Sequence, residues 1–366
     1  MNEERQRILK LLEQGMINSE EAEELLDAIT HAEDMKEQEP KEDDVHALST
    51  KVDWKANEQQ SYKTGSNKKR FMEFVEDTIT KIKNVDLDFN FGSYYEVSHI
   101  FQNQGVSFSK VHLDIANGSL EVRPWGEDDL RIECKAKVYQ AKHQDDARKR
   151  FMELKKYNVD DEALSFAISS KKVKTNVVLY IPNKWYDDIS LRLFNGPIQV
   201  EQLKTKEFHA KTANGKLELA HLDGREIEVE TSNGAITLQN VNATDVEAES
   251  INGSITIDGR YHKVDAQCVN GNIKCYWGGD EGHTGYYKTT TGNISVHVPP
   301  ERHIEGKLHT SIGNIHCTLP DFQIEEEKKE VLRKELIFQS RAEQGNPLHI
   351  DAETKTGVVT IQSNHS

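Results

Sequence analysis

Residues 231–238 read TSNGAITL, an Asn-Gly pair followed by apolar residues at alternate positions. Related stretches are TANGKLEL at 212–219, ESINGSITI at 249–257 and CVNGNIKCY at 268–276. The glycines that share this position are Gly196, Gly215, Gly234, Gly253, Gly271, Gly292, Gly313 and Gly357, with successive steps of 19, 19, 19, 18, 21, 21 and 44 residues. A repeat with a period near twenty residues is typical of a solenoid.

Each repeat reads as two short strands joined at the Asn-Gly pair. Two residues after the glycines stand Ile198, Leu217, Ile236, Ile255, Ile273, Ile294, Ile315 and Val359. Four residues after them stand Val200, Leu219, Leu238, Ile257, Cys275, Val296, Cys317 and Ile361. Apolar residues at alternate positions indicate a strand with one buried face. The inward positions change parity at the corner, and Asn-Gly tolerates the positive φ of such a bend.

Two arrangements are compatible with this repeat. Asn-Gly favours tight hairpin turns, which would give a meander of stacked hairpins. Alternatively, each corner turns the chain onto the next face of a coil, and identical columns then stack about 4.8 Å apart. The columns keep the same residue types, and Asn195, Asn214, Asn233, Asn252 and Asn270 would form a side-chain ladder. We therefore favour a mainly β fold, a parallel β-helix with a period of about 19–21 residues.

The composition limits the classes of partner. The formal net charge of −16 argues against nucleic-acid binding and against attraction of the whole chain to anionic lipid. No run of 18 apolar residues occurs, so no membrane-spanning helix is predicted. The first residues, MNEERQRILK, lack the apolar core of a secretion signal. A cytoplasmic location is therefore expected.

No catalytic, cofactor-binding or metal-binding residues are predicted, and no cofactor is expected. The four cysteines form no CxxC pair, and Cys275 and Cys317 occupy an aliphatic column, which predicts small buried apolar side chains. The histidines at 283, 297, 303 and 309 lack the spacing of metal ligands. We interpret Asp223, Asp245, Asp258 and Asp265 as solvated turn residues because they fall at differing positions of the repeat.

Three segments precede the repeat. Residues 1–30 predict a helical hairpin, too small to be stable alone, that either self-associates, binds a partner or docks on its own chain. Residues 31–69 are highly charged and predict a disordered linker. Residues 70–105 predict an amphipathic helix and a cap segment; basic residues flank the helix, so residues 68–85 could instead contact a membrane surface.

The solenoid is expected over residues 106–366, with two interruptions. The stretch DDARKRFMELKKY at 145–157 predicts a short inserted helix. The 44-residue step near the C-terminus predicts an excursion over about 321–345, as a loop or a helix.

The chain resembles a known family at several of these stretches. VHLDIANGSLEVRPW at 111–125, DDARKRFMEL at 145–154, VVLYIPNKW at 177–185 and the Asn-Gly series resemble the DUF4097 adhesin-like β-strand repeat family. LLEQGMINSEEAEELLDAI at 11–29 is similar to the SHOCT-like helical module of the YvlB/LiaX-type members. The resemblance implies a right-handed β-helix, a bacterial source and a link to cell-envelope stress alongside membrane proteins of the PspC type. It brings no catalytic residues.

These observations lead to an expected function. We expect a non-enzymatic interaction protein whose solenoid binds a membrane-associated envelope-stress regulator or the membrane periphery. One alternative is an exported, surface-associated, adhesin-like sensor of envelope-active compounds. The other is a carbohydrate-active β-helix enzyme, which would need carboxylates clustered at fixed columns of neighbouring coils.

Overall fold

The computed structural model describes residues 92–330, 333–340 and 346–364. The elements, in chain order, are β1 (Tyr94–Asn103), β2 (Lys110–Trp125), β3 (Leu130–Tyr139), α1 (Gln144–Leu154), β4 (Lys155–Val159), β5 (Ala163–Ile168), β6 (Val173–Pro182), β7 (Trp185–Asn195), β8 (Ile198–Glu201), β9 (Lys204–Asn214), β10 (Leu217–Ala220), β11 (Asp223–Asn233), β12 (Ile236–Asn252), β13 (Ile255–Asn270), β14 (Ile273–Trp277), β15 (Thr284–Thr291), β16 (Ile294–Val298), β17 (Ile304–Ile312), β18 (Ile315–Thr318), β19 (Phe322–Glu330), β20 (Arg333–Ser340), β21 (Leu348–Thr356) and β22 (Val359–Ser363). The hairpin expected over 1–30, the linker over 31–69 and the helix over 70–85 lie outside the described residues.

Corresponding strands of successive repeats pair in parallel, so that each residue stands beside the residue at the same position of the neighbouring repeat. After the corner, Leu217 of β10 is the register partner of both Ile198 in β8 and Ile236 in β12. Before the corner, β11 pairs in the same way with β9 and β12. These registers confirm a coil of parallel strands, and the stack of hairpins is wrong.

The aliphatic columns fill the interior of the coil. Ile236, Leu238, Ile255 and Ile257 are each 0% exposed. Ile315 and Cys317 occupy the same columns but are half-buried, because β18 is the last of the described strands on its side and pairs, among them, only with β22. The prediction of a buried apolar side chain is therefore confirmed for Cys275 and only partly met by Cys317.

Side-chain hydrogen bonds hold the Asn-Gly corners together. Each corner asparagine donates its amide to the asparagine of the neighbouring coil, from Asn195→Asn117 at 2.7 Å to Asn270→Asn252 at 3.0 Å. The threonines that recur three residues before the corner glycines form a second ladder of hydrogen bonds. The hydroxyl of Thr231, for example, donates to the Gly215 carbonyl of the preceding coil at 3.0 Å. Coil stacking thus satisfies polar groups in the buried corner.

Thr231→Val is expected to lower the free energy of unfolding by about 1 kcal/mol. Valine keeps the shape of threonine but cannot donate to the Gly215 carbonyl. Urea denaturation measures the change. Thr237→Val is the control, because Thr237 is half-buried on the outer side of β12. Equal losses in the two variants would contradict a role for the threonine ladder.

The coils do not stack in the order of the chain at either end. At the beginning, β2 lies between β5–β6 and β7–β8 and pairs with all four strands. At the other end, the last coil, β21–β22, lies between β15–β16 and β17–β18. The 44-residue step therefore reflects a coil, β21–β22, that comes later in the chain than β17 and β18 but lies inside them in the stack.

Antiparallel strands cover both ends of the stack. At the first end β4 pairs with β5, β3 pairs with β6, and β1 pairs with β3. At the last end β20 pairs with β17 and β19 pairs with β20. The expectation of a loop or helix near 321–345 is wrong for residues 322–330 and 333–340, which form these strands. Charged side chains along β19 disfavour further pairing at this edge.

The inserted helix is confirmed with different bounds. α1 ends at Leu154, and residues 155–157 begin β4 instead of extending the helix. Ala147 and Phe151 are buried and anchor α1, and Tyr157 packs its ring against Phe101 and Phe166. The cap segment expected over 70–105 contains β1 in its described part.

Candidate functional site: an acidic face and an adjacent groove

The outward side chains of β11, β12 and β13 form a surface that we call the acidic face. It consists of Glu226, Glu228, Glu230, Asp245, Glu247, Glu249 and Asp265. The first six lie eight, six and four residues before the corner glycines of their repeats, and Asp265 lies six before Gly271. In-register stacking places the same repeat positions side by side on strands about 4.8 Å apart. Seven carboxylates therefore lie on three neighbouring strands.

This face corrects the interpretation of the aspartates. Asp245 and Asp265 were expected in solvated turns, but they lie within β12 and β13, and Asp265 is only 7% exposed. Asp223 begins β11, and Asp258 lies on a different side of the coil, after the corner. The signal was present in the outward columns, where the glutamates of β11 recur as Asp or Glu in β12.

At several positions on this side of the coil, opposite charges stand on neighbouring strands, and Lys263 of β13 is the register partner of Asp245. The Lys211 ammonium donates to the Glu230 carboxylate, and His209 Nδ1 lies 3.2 Å from Glu228 Oε2. The Lys288 ammonium likewise donates to Glu353 at 2.9 Å. Such cross-strand pairs of opposite charge are stabilising.

At other positions carboxylates face carboxylates, from Asp188 and Glu207 on β7 and β9 to the strands β11 and β12. Glu228 is the register partner of Glu247, and Glu230 is the register partner of Glu249. On the other side of Glu249 stands Gln267, whose amide donates to Asp265 Oδ1 at 3.0 Å. Like charges directly opposite each other destabilise a sheet.

Glu249 lies among these like-charged side chains, beside Glu230 and close to Glu247. It is 4% exposed, and its Oε1 has no hydrogen-bond partner among the residues that the structure describes. Burial raises the pKa of Glu249 to about 8, and the charges of Glu247 and Glu230 add to this effect. Burial also raises the pKa of Glu230. The arrangement stabilises the protonated acid or an added positive charge.

A groove runs beside the acidic face across β2, β7, β9 and β11. One part, of about 480 Å³, is lined among others by Arg192, His209, Lys211 and Glu230. A second part, of about 630 Å³, shares Arg192 with the first and extends over β4 and β5 to apolar surface. The hydrogen bond to Glu228 raises the pKa of His209. This side of the coil therefore offers a concave, charged surface that adjoins an acidic one.

The cysteines provide no reactive group. Cys275 Sγ lies 2.9 Å from the Tyr261 hydroxyl and 3.2 Å from the Tyr287 hydroxyl, in the interior of the coil. Burial raises the pKa of Cys275 to about 12 and that of Cys317 to about 11, so both stay protonated thiols. Across the described part of the chain, no three His, Cys, Asp or Glu side chains converge in a way suited to a metal ion. Nor do the described residues include a helix long and apolar enough to span a bilayer.

Comparison with known proteins identifies relatives of the chain. The profile of the Toastrack DUF4097 family matches residues 108–362, and that of a SHOCT-like domain matches residues 3–33. An uncharacterized protein of Bacillus subtilis, YvlB, is 43% identical and is covered over 99% of both chains.

Two solved structures illustrate more distant likenesses. A candidate lipid-binding protein from Parabacteroides distasonis is 11% identical over 72% of this chain and 96% of its own, with a TM-score of 0.45. A candidate adhesin from Bacteroides fragilis is 16% identical over 74% of this chain and 98% of its own, with a TM-score of 0.33. The resemblance noted in the sequence is confirmed by the family profiles and by YvlB: the chain belongs to the Toastrack DUF4097 family.

Proposed function

We propose that the chain is a non-enzymatic interaction protein of the bacterial cell-envelope stress response. In this proposal it acts in the cytoplasm and at the membrane periphery, and its solenoid binds a membrane-associated regulator of the PspC-like type. Residues 1–30 would add self-association or a second contact, and residues 68–85 a contact with the membrane surface. We also propose that the coil winds to the right, as the family resemblance implies.

One observation carries the proposal: the groove and the acidic face lie next to each other on one side of the coil. Together they span β5, β2, β7, β9, β11, β12 and β13, which are consecutive in the stack. Rigid solenoids use such extended surfaces to bind partners. The presence of both signs of charge in the groove favours a protein partner of defined charge pattern.

The arrangement of the carboxylates favours binding over glycan hydrolysis. A glycosidase needs a protonated acid that reaches the glycosidic oxygen and a second carboxylate across the sugar. Glu230, whose pKa is raised by burial, lines the groove, but its carboxylate already accepts a hydrogen bond from Lys211. Glu249, whose pKa is raised to about 8, is 4% exposed and does not line the groove. A sugar therefore has no access to it.

Capture from membranes tests the proposal. Full-length tagged chain is expected to retain a membrane protein from detergent-solubilised membranes of its own cells, and fractionation is expected to place the chain in the cytosol and on membranes. Ser190→Trp fills the groove and is expected to abolish the capture. Thr256→Trp is the matched control, because Thr256 is also half-buried but lies after the corner, outside the groove.

Two results would contradict the proposal. Equal capture by the Ser190→Trp and Thr256→Trp variants would show that the groove is not the binding surface. Recovery of the chain mainly outside the cell would instead support an exported, adhesin-like sensor.

A further inference from the structure

We infer that the first end of the coil carries a binding surface for anionic membrane lipid, formed by lysine and tyrosine side chains on the outward side of β1, β3 and β6. This inference rests on the proposed function, in which the chain acts at the membrane periphery, and it specifies which part of the coil contacts the bilayer. We call this surface the basic face. It consists of Tyr94, Glu96, Ser98, Lys135, Lys137, Tyr139, Lys172, Lys174 and Asn176.

In-register strands bring these side chains together. The residues within the strands stand at alternate positions, and the positions between them are buried or half-buried. Lys137 of β3 is the register partner of both Glu96 on β1 and Lys174 on β6, and Tyr94 faces Tyr139 at the end of β3. Since neighbouring strands lie about 4.8 Å apart, the three strands span about 10 Å. The lysines therefore lie close enough together to act on one charged surface.

The lysines lack carboxylates beside them in the sheet. Lys135 has uncharged register partners on both neighbouring strands, Ser98 and Asn176, and Lys174 faces another lysine. Lys172 is exposed in the turn before β6. Among the described residues, none of these three lysines forms an ion pair. Like charges on neighbouring strands repel each other, and anionic headgroups would relieve this repulsion.

Two glutamates adjoin the lysines without neutralising them. Glu133 precedes the lysines on β3 and is bound to Arg131. Glu96 is the one carboxylate of the basic face, and the Lys137 ammonium lies instead 3.4 Å from the Tyr94 hydroxyl and 4.6 Å from the centre of its ring. The net charge of the whole chain is −16. The basic face is thus a positive patch on an acidic protein, which a polyanion would recognise.

Exposed apolar side chains favour a bilayer over other polyanions. Tyr94 is 44% exposed, and Ile100, on the same side of β1, is 52% exposed. Tyrosine is enriched at the headgroup level of membranes, because its ring is apolar and its hydroxyl is polar. Lysines lay their methylene groups along apolar surface and keep their ammonium groups in the polar layer. Lysine, tyrosine and isoleucine on one surface therefore match the interface of an anionic bilayer.

The position of the basic face agrees with the proposed membrane contact of residues 68–85. The described part of the chain begins at Gly92, two residues before Tyr94. Residue 85 precedes Gly92 by seven positions, and an extended chain of this length spans at most about 25 Å. A membrane contact through residues 68–85 would therefore hold the basic face near the same bilayer, and two linked contacts bind more tightly than either alone.

Vesicle flotation tests the inference on the full-length chain. The vesicles contain phosphatidylcholine and phosphatidylglycerol in a ratio of about 3:1, and a second set contains phosphatidylcholine alone. The variant Lys135→Gln/Lys172→Gln/Lys174→Gln removes three positive charges from the basic face. The lipid concentration at which half of the protein floats with the vesicles is measured for each protein.

The matched control is Arg260→Gln/Lys274→Gln/Lys355→Gln, which removes three exposed positive charges from β13, β14 and β21. The wild type and the control are expected to bind the anionic vesicles at the same lipid concentration. The basic-face variant is expected to need a concentration at least tenfold higher, with an unchanged melting temperature. Vesicles of phosphatidylcholine alone are expected to bind none of the three proteins.

Three results would overturn the inference. Equal weakening in both triple variants would mean that the vesicles respond only to net charge. Equal binding of the wild type to both kinds of vesicle, or binding to neither, would mean that anionic lipid is not recognised. Duplex DNA that displaces the vesicles and requires the same three lysines would identify the surface as a nucleic-acid site.

Two further measurements separate this inference from the proposed function. If Lys68→Gln/Lys69→Gln/Arg70→Gln loses vesicle binding while the basic-face variant keeps it, the proposed membrane contact of residues 68–85 stands and the inference fails. Capture of a membrane protein from detergent-solubilised membranes involves no bilayer, so the basic-face variant is expected to retain it. Loss of capture in this variant would overturn the inference, because the lysines would then bind the protein partner. If the wild type captures no membrane protein, the proposed function itself fails.

Discussion

Gly234→Val is expected to lower the free energy of unfolding by about 4 kcal/mol or more. Gly234 has a φ of +156°, which disfavours a β-branched residue. A Cβ at this position would lie 2.1 Å from the carbonyl oxygen and 2.5 Å from the carbonyl carbon of Gly215 in the preceding coil. Both atoms belong to the backbone of a strand corner, so relief of the clash requires the two coils to separate.

Chemical denaturation monitored by circular dichroism measures this loss. Gly126→Val is the control, because Gly126 is exposed and a Cβ there meets no heavy atom within 4 Å. The control is expected to change the unfolding free energy by less than about 1 kcal/mol. Similar losses in both variants would mean that contact between the corners of neighbouring coils does not determine which residues are tolerated at position 234.

Glu249→Gln is expected to stabilise the protein at pH 9 and to have little effect at pH 5. The pKa of Glu249 in the folded protein is about 8, above the ordinary 4.5, so the folded state keeps a proton that the unfolded state releases. The stability that this proton provides is fully present below pH 4.5 and is lost as the pH rises through about 8. The difference corresponds to at most about 5 kcal/mol, and we expect a gain of about 3 kcal/mol at pH 9.

Urea denaturation at several pH values measures the difference between the wild type and the variant. Glu218→Gln is the control, because hydrogen bonds from Lys216 and Gln199 lower the pKa of Glu218. A glutamate with a lowered pKa stabilises the folded state at high pH, so this substitution is expected to give no gain at pH 9. A difference between wild type and Glu249→Gln that does not change with pH would contradict the buried, unneutralised carboxylate.

The interior of the coil was predictable because the residue at each inward position must be apolar in every repeat. Ile236 and Ile255 must be aliphatic wherever their coil lies in the stack, and the corner asparagines must all meet a neighbour. The order of the coils was not predictable. Val359 and Ile361 would fit beside any other coil, so the repeat contains no information that places β22 between β16 and β18.

The hairpin of β19 and β20 shows a second limit of the sequence. The run EEEKKE at 325–330 has a high propensity for helix, yet it forms an antiparallel strand. Pairing with β20, whose Leu336 and Phe338 are buried in the end of the coil, determines its conformation. Tertiary contacts of this kind override local propensity.

The acidic face was missed for a different reason. Residue types at the outward positions of a solenoid vary freely. A single aspartate such as Asp245 therefore gives no indication of a charged surface until its neighbours on the adjacent strands are known. The register shows that Glu226 and Asp245 lie side by side. Reading the columns four, six and eight residues before each glycine would have revealed the patch from the repeat alone.

Zero-length crosslinking of carboxylates to amines tests the central claim most directly. A carbodiimide added to the full-length chain bound to its membrane fraction joins carboxylates to lysines that are in direct contact. The account predicts that peptides containing Asp188, Glu228 or Glu230, which line the groove, become joined to lysines of a membrane protein. Crosslinks that involve Glu121, Glu201 or Glu218 instead, with the carboxylates of the groove unmodified by the partner, would contradict it.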